Sequence, residues 1–377
     1  MKILIGADIV PTPSNVQMFE SANVEELVDP ELLKTLSDAD FRVFNLEIPL
    51  SDVASPIEKS GPCLIAPQKS AYGLRALGID FCTLANNHIL DQDVQGLKST
   101  EDALDRVGIG YAGVGKNAAE ASKPFIFENH GIKVGIYCCA EHEFSIAGET
   151  SPGANPFDPI ESLDHIKDLS DSVEYTIVLY HGGKEHYRYP SPYLQKVCRK
   201  IVEKGADLVI CQHSHCIGCE EDWKSGKIVY GQGNFLFDRA NHECWNTGLL
   251  VEVELGEEQR IAYIPVVKEG ASVKLASDDE AKNIMDAFYG RSKEIKNPIE
   301  VKKKYDTFCK EFDDYLLMQI YNIPYRSLLF RAMNKLSGGA YGRYVLRRKS
   351  STTQRLLMLN YLECEAWREL IANKIKM

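Results

Sequence analysis

The 377-residue chain contains no stretch of about 18 uninterrupted apolar residues, so it offers no membrane-spanning helix. Its apolar start runs only from Ile3 to Ala7 before Asp8 interrupts it, shorter than the roughly 7–15-residue core of a secretory signal. On these grounds the chain is expected in the cytoplasm. A GxxxxGK[ST] loop and a nucleophile elbow are missing, and the GxGxxG string Gly108–Gly113 follows a predicted helix instead of opening one, which argues against P-loop nucleoside triphosphatases, nicotinamide enzymes and serine-triad hydrolases. No nucleic-acid signature, internal repeat or low-complexity tract is present. Cys216-Ile217-Gly218-Cys219 has zinc-ribbon spacing, yet no second CxxC answers it. The 11 cysteines, odd in number, are expected to be reduced thiols rather than a disulfide framework.

With 44% apolar and 26% charged residues, the composition is globular and allows one large domain or two smaller ones. Charge is unevenly placed. Residues 290–377 carry 18 Lys+Arg against 9 Asp+Glu, a net +9, while residues 1–289 carry 25 against 45, a net −20. Between Tyr315 and Leu362 there is no acid, but Arg326, Arg331, Lys335, Arg343, Arg347, Arg348, Lys349 and Arg355 all fall there. Such a region is a candidate peripheral contact for a membrane surface, a polyanion or an acidic protein, or a segment that docks on the acidic main body.

Short runs rich in Val, Ile and Tyr predict strands at 2–6, 42–46, 81–84, 133–139, 175–180, 208–211, 227–230, 248–255 and 260–267. Apolar residues at three- and four-residue spacing predict helices at 30–36, 70–77, 96–107, 192–204 and 278–289, with Gly78, Gly108 and Gly205 as left-handed stops. This alternation, followed by consecutive strands, predicts a layered α/β sandwich over residues 1–270. Residues 271–377 are expected to be a mostly helical, basic extension, with helices at 302–321, 325–336 and 351–376.

Polar residues follow the apolar runs at five places. Asp8 follows the first, Glu47 the second, Asn86-Asn87-His88 the third, His181 a later one, and His213-Ser214-His215 the run ending at Gln212. Ligands in open α/β sheets bind at the C-terminal ends of strands, where loops converge. Two carboxylates, an amide oxygen and several imidazoles suit one or two borderline divalent ions such as manganese, zinc, iron or nickel. A pair of such ions can share a carboxylate and orient a phosphate ester for hydrolysis.

The stretch Leu84-Ala-Asn-Asn-His-Ile-Leu-Asp91, with Gly96-Leu97 and Gly113-Val-Gly115, resembles the central signature of bacterial capsule-synthesis proteins of the CapA (poly-γ-glutamate) type. Asn45-Leu-Glu47, His181-Gly-Gly-Lys-Glu185, Gly205-Ala-Asp207, His213-Ser-His215 and Gly233-Asn-Phe235 match that family in order, over roughly residues 1–268. The family is related to calcineurin-like metallophosphoesterases, which implies a four-layer α/β/β/α sandwich with a two-metal site at its edge. The resemblance implies that Asp8 and His215 bind one metal and that Asn87, His181 and His213 bind the second. Glu47 would bridge the two, and His88 would act as general acid. Asn45, Asn86, Glu185 and Asn234 are the candidates for contact with substrate.

Two departures stand out: Asp8-Ile9-Val10 replaces the superfamily's Asp-x-His, and Gly182 replaces a common aromatic and is expected to leave that space open. The resemblance implies a metal-dependent hydrolase acting on a phosphorylated small molecule or polymer intermediate in surface-polymer synthesis. A non-catalytic capsule assembly factor and a metal-dependent γ-glutamyl amide hydrolase are the alternatives.

Overall fold

The computed structural model describes residues 1–238, 243–311 and 314–376. It divides into two compact units, Met1–Asp306 and Thr307–Met377, so the boundary expected near residue 270 falls inside the first unit.

In the first unit, β1 (Lys2–Val10), β2 (Phe41–Leu46), β3 (Phe81–Thr83) and β4 (Gly110–Ala112) pair in parallel. A short strand β5 (Val114–Gly115) precedes β6 (Phe125–Asn129) and β7 (Ile132–Ala140), and pairs with β8 (Gly153–Ala154). Next come β9 (Tyr175–His181), β10 (Leu208–Gln212), β11 (Glu220–Trp223) and β12 (Gly226–Tyr230). With β6 and β7 they make a second sheet in the order β11-β12-β10-β9-β7-β6. The chain then returns to the first sheet through β13 (Asn234–Phe237), β14 (Thr247–Glu254), β15 (Arg260–Glu269) and β16 (Ser272–Leu275). That sheet runs β16-β15-β14-β1-β2-β3-β4, with β13 also on β1.

The period-two alternation of strand side chains builds the layers. Ile3 and Ile5 of β1 meet Val134, Ile136, Ile177, Leu179, Leu208 and Ile210 of the second sheet in a core between the sheets. Leu4 and Phe44 point the other way, onto the helices Pro30–Ser37, Ser70–Ala76 and Asp93–Val107. On the far face, Tyr137, Val178 and Val209 pack on Ile166 and Leu169 of helix Ser162–Ser170 and on Val197 and Ile201 of helix Pro192–Glu203. The result is an α/β/β/α sandwich. All nine predicted strands and the five predicted helices of this unit are present; strands such as β6 and β13 and the helix 162–170 carried too short or too polar a pattern to be read.

Local chemistry explains where helices begin and end. Asp29 and Ser191 cap the two helices that start with Pro30 and Pro192, accepting from Leu32 N and Leu194 N. Gly108 ends its helix in the left-handed region at φ 71°.

In the second unit, helices Tyr315–Ile320, Leu328–Leu336 and Ala340–Lys349 pack around a small core of Met318, Ile323, Phe330 and Leu346, and helices Thr352–Glu363 and Glu365–Lys376 follow. The helix expected over 351–376 is two, parted at Cys364, whose backbone is extended. The break lets Trp367 come within 6.3 Å of the Tyr361 ring centre. Helix 340–349, missed in the sequence, begins directly after Gly339 at φ 85°.

Candidate metal centre

Four strand ends converge with the middle of a fifth strand, which runs past the end expected at residue 6. Asp8 lies within β1, where the register against β2 shifts between Ile5 and Asp8 and re-aims the strand. Gly6 permits this approach, because a Cβ there would lie 1.9 Å from the Phe44 ring. Glu47 directly follows β2, Asn86-Asn87-His88 follow β3, His181 ends β9, and His213 and His215 follow β10. His213 and His215 adopt positive φ, 84° and 52°, which is strained for residues with a Cβ. Strain of this kind persists where surrounding structure holds it and clusters at functional sites.

Two candidate ligand sets share Glu47. In the first, His181 Nε2 sits 3.3 Å from Glu47 Oε1, 3.0 Å from Asn87 Oδ1 and 3.1 Å from His213 Nδ1. In the second, His215 Nδ1 lies 3.5 Å from Asp8 Oδ2 and 2.9 Å from Asn234 Oδ1. Ligand atoms of Glu47, His181 and His213, and those of Asp8, Glu47 and His215, fall within 4.8 Å of one another. Asp8 and Glu47 are fully buried.

The unmatched atoms decide how the cluster should be read. Asp8 Oδ2 and both carboxylate oxygens of Glu47 have no hydrogen-bond partner. A buried ionised oxygen without a partner costs several kcal/mol, roughly, and is retained where a cation resolves it. The donor set of carboxylate, amide and imidazole fits one or two borderline divalent ions.

Electrostatics agree with that fit. Burial, then the charge of Glu47, pushes the Asp8 carboxyl up. Burial also acts to raise Glu47, but His181 and His215 more than offset it and hold that carboxyl below its usual range. Burial depresses the His213 imidazole, with His181 adding to the effect. His215 goes the other way despite burial, because Glu47 and Asp8 draw it up to about 9. The same carboxylates raise His181.

Around the ligands, Asn45 Nδ2 donates to Asp8 Oδ1 at 2.7 Å, and Asn86 Nδ2 donates to Asn45 Oδ1 at 3.1 Å and to Leu46 O at 2.8 Å. Both amides are fully buried; Asn45 holds the Asp8 carboxylate, and Asn86 fixes Asn45 and the backbone just before Glu47. Asn234 pairs with Asp8 across β13 and β1 and keeps an unmatched buried Nδ2. Glu185 is exposed in the loop after His181, and no hydrogen bond or ion pair among the described residues joins it to the cluster. The space expected beside Gly182 is not open: a Cβ there would meet Glu141 Cγ at 2.7 Å and the Tyr180 ring at 3.0 Å. Glu141 also accepts from Gly183 N at 2.8 Å, so the loop itself fills the place of an aromatic.

Four residues went unread in the sequence. Asp91 accepts from His88 Nδ1 at 2.6 Å, with Leu64 N also donating to it at 2.6 Å. Lys59, its side chain only 3% exposed, forms an ion pair with Asp91 and lies 3.4 Å from His88 Nδ1. Glu143 accepts from Asn87 Nδ2 at 3.3 Å and lies 3.9 Å from His213 Nε2. Trp245 stacks on the His215 ring at 4.4 Å between centres. Asp91 had a signal, its place three residues after His88 in the quoted motif; the other three are brought in from distant segments. Cys216 and Cys219 are buried, and neither belongs to a group that could hold a metal among the described residues.

This arrangement makes the first unit an α/β/β/α sandwich with its candidate metal ligands gathered at the strand edge. Within that class the chain belongs to the family described as bacterial capsule synthesis protein PGA_cap, which residues 4–239 match. It is 28% identical over 184 residues to the capsule biosynthesis protein CapA of Bacillus anthracis, covering 47% of this chain and 44% of that protein. It is 25% identical over 176 residues to the PGA biosynthesis protein CapA of Bacillus subtilis (strain 168), covering 46% of each. The match thus spans less than half the length of these relatives. A phosphatase of Mycoplasma pneumoniae of known structure superposes with a TM-score of 0.42 at 12% identity, over 72% of this chain and 90% of that one. Among the described residues no helix is long and apolar enough to cross a membrane.

Proposed function

We propose that the chain is a divalent-metal-dependent phosphoesterase that acts on a phosphorylated small molecule or polymer intermediate during assembly of a surface polymer. The observation that carries this reading is the set of three unmatched carboxylate oxygens on buried Asp8 and Glu47, facing the imidazoles of His181 at the end of β9 and of His213 and His215 in the loop after β10. Bound divalent ions supply Lewis-acid polarisation of a phosphoryl oxygen and acidify water.

The chain's own residues do the rest. Glu47, common to both ligand sets, fixes their spacing. Asp8 and His215 complete one set; Asn87, His181 and His213 complete the other. Asn45, itself fixed by Asn86, holds the Asp8 carboxylate so that little reorganisation is needed when substrate arrives. Asp91 keeps a proton on His88 Nδ1, which leaves Nε2 as the ring atom that passes a proton to the leaving oxygen. Lys59 balances the Asp91 charge and adds a buried cation beside that pair. Trp245 covers one face of His215 and keeps water from it.

The test is metal analysis of the purified protein beside a His213→Ala/His215→Ala variant, followed by an aryl-phosphate assay supplemented with manganese or zinc. Stoichiometric metal that the variant loses, with turnover tracking it, supports the phosphoesterase. Glutamate released from poly-γ-glutamate with phosphate esters untouched would support an amide hydrolase instead. A folded protein that takes up no metal and turns over neither substrate would point to an assembly factor.

A further inference from the structure

The helix Leu328–Leu336 turns its apolar side away from its own core. Successive residues rotate by about 100°, so Leu328, Ala332, Leu336, Leu329 and Met333 occupy one arc of about 140°. Leu328, Leu329 and Leu336 on this arc are 84, 72 and 89% exposed, whereas Phe330, on the opposite side, is the residue buried against Met318, Ile323 and Leu346. Arg331 and Lys335 flank the exposed arc on its Leu328 side. An open cleft of about 690 Å³ alongside is lined by Leu328, Arg331, Lys335 and the Gly338-Gly339 turn. Helix Ala340–Lys349 ends in Arg347-Arg348-Lys349, and helix Thr352–Glu363 leaves Leu356 and Leu362 each 61% exposed.

An exposed apolar arc edged by cations is the pattern of a helix lying in a lipid interface, its leucines among the acyl chains and its Arg and Lys reaching the headgroups. The charge selects the occupant. Tyr315–Leu362 holds eight Lys and Arg and no Asp or Glu. A second copy of the same surface would set like charges face to face, whereas an anionic bilayer complements all of them. We propose that Thr307–Met377 is a peripheral docking surface for an anionic bilayer, with the Leu328–Leu336 helix as its inserted element.

The test uses the full chain in sedimentation with vesicles of mixed phosphatidylglycerol and phosphatidylcholine, beside pure phosphatidylcholine, at low and high salt. Binding to the anionic vesicles, weakened by salt, is expected. A Leu328→Ser/Leu329→Ser/Leu336→Ser variant, altered only at exposed positions and checked by circular dichroism, should partition at least about tenfold more weakly. Arg331→Gln/Lys335→Gln should do likewise, since each interfacial cation contributes on the order of 1 kcal/mol. Failure of the unaltered protein to bind anionic vesicles at low salt would overturn the proposal. So would equal binding by the leucine variant, or a dimer in solution that the leucine changes dissolve, because the occupant would then be a second copy.

Discussion

Two buried carboxylates in the same domain meet opposite fates. Glu221 in β11 receives Arg199 through two nitrogens, Nε at 3.1 Å, and Tyr230 Oη at 3.0 Å, with Gln195 Nε2 at 3.5 Å. Glu47, more deeply buried, receives no hydrogen bond at either oxygen. The protein can therefore satisfy a buried acid when structure alone is at stake. Burial does not mark a ligand; burial with the lone pairs left open does.

The comparison breaks most sharply if the two acids are exchanged for amides. Glu47→Gln should lower metal affinity more than about 100-fold and abolish metal-dependent turnover, as should His213→Ala/His215→Ala. The metal-free Glu47→Gln protein should keep its stability within about 1 kcal/mol, because relief of the buried charge offsets the lost attraction to His181 and His215 and no hydrogen bond is broken. Metal analysis with chelator competition, and denaturant melts of the stripped protein, would check both halves; an unchanged metal content would sink the metal assignment.

A second test keeps metal in place. His88→Ala should reduce turnover by about 10²–10⁴-fold with bound metal unchanged, and Asp91→Asn by a smaller factor, because the ring remains but loses its orienting acceptor. The separation appears as a change in kcat with constant metal stoichiometry. Loss of metal in either variant would move His88 from proton transfer to the ligand shell.

Glu221→Gln should do the reverse of Glu47→Gln: metal content unchanged, stability lower by about 2 kcal/mol. That value is below the usual cost of breaking a buried pair, since the Arg199 side chain is 20% exposed and can rehydrate. Chemical denaturation of the metal-free protein reads it.

The smallest expected signal is protonic. In the metal-free protein His215 is drawn up to about 9 and so carries a proton at pH 7, and the same carboxylates shift His181 in the same direction. A ligand imidazole must be neutral, so metal binding should expel about one to two protons, and apparent affinity should rise with pH through that range. Calorimetry in two buffers of different ionisation enthalpy measures the number; none released would show that these rings are neutral before metal arrives.

Much of the site was legible because it is periodic. Each ligand follows a short apolar run, and a strand's end is visible where alternation stops: Asp8, Glu47, His181 and His213 were all placed this way. Lys59, Glu143 and Trp245 were not, since two reach the site from loops and Trp245 from the single 3-10 turn Glu243–Asn246, segments too short or irregular to show a period. Gly182 misled for a related reason. Its missing side chain suggests a void in the sequence, but Glu141 from a neighbouring strand end occupies it.

The sequence by itself determined the alternation of strands and helices, the stops at Gly78, Gly108 and Gly205, the ligand types and the basic character of the C-terminal region. These are local or compositional properties, set by hydrophobic period, backbone freedom and charge. Only the tertiary structure decided that the oxygens of Glu47 are left unmatched while those of Glu221 are filled, that Lys59 and Asp91 flank His88, and that Leu328, Leu329 and Leu336 face outward. Each of these depends on which groups from distant segments reach the same few ångströms, and so on the packing of the whole unit rather than on the order of its residues.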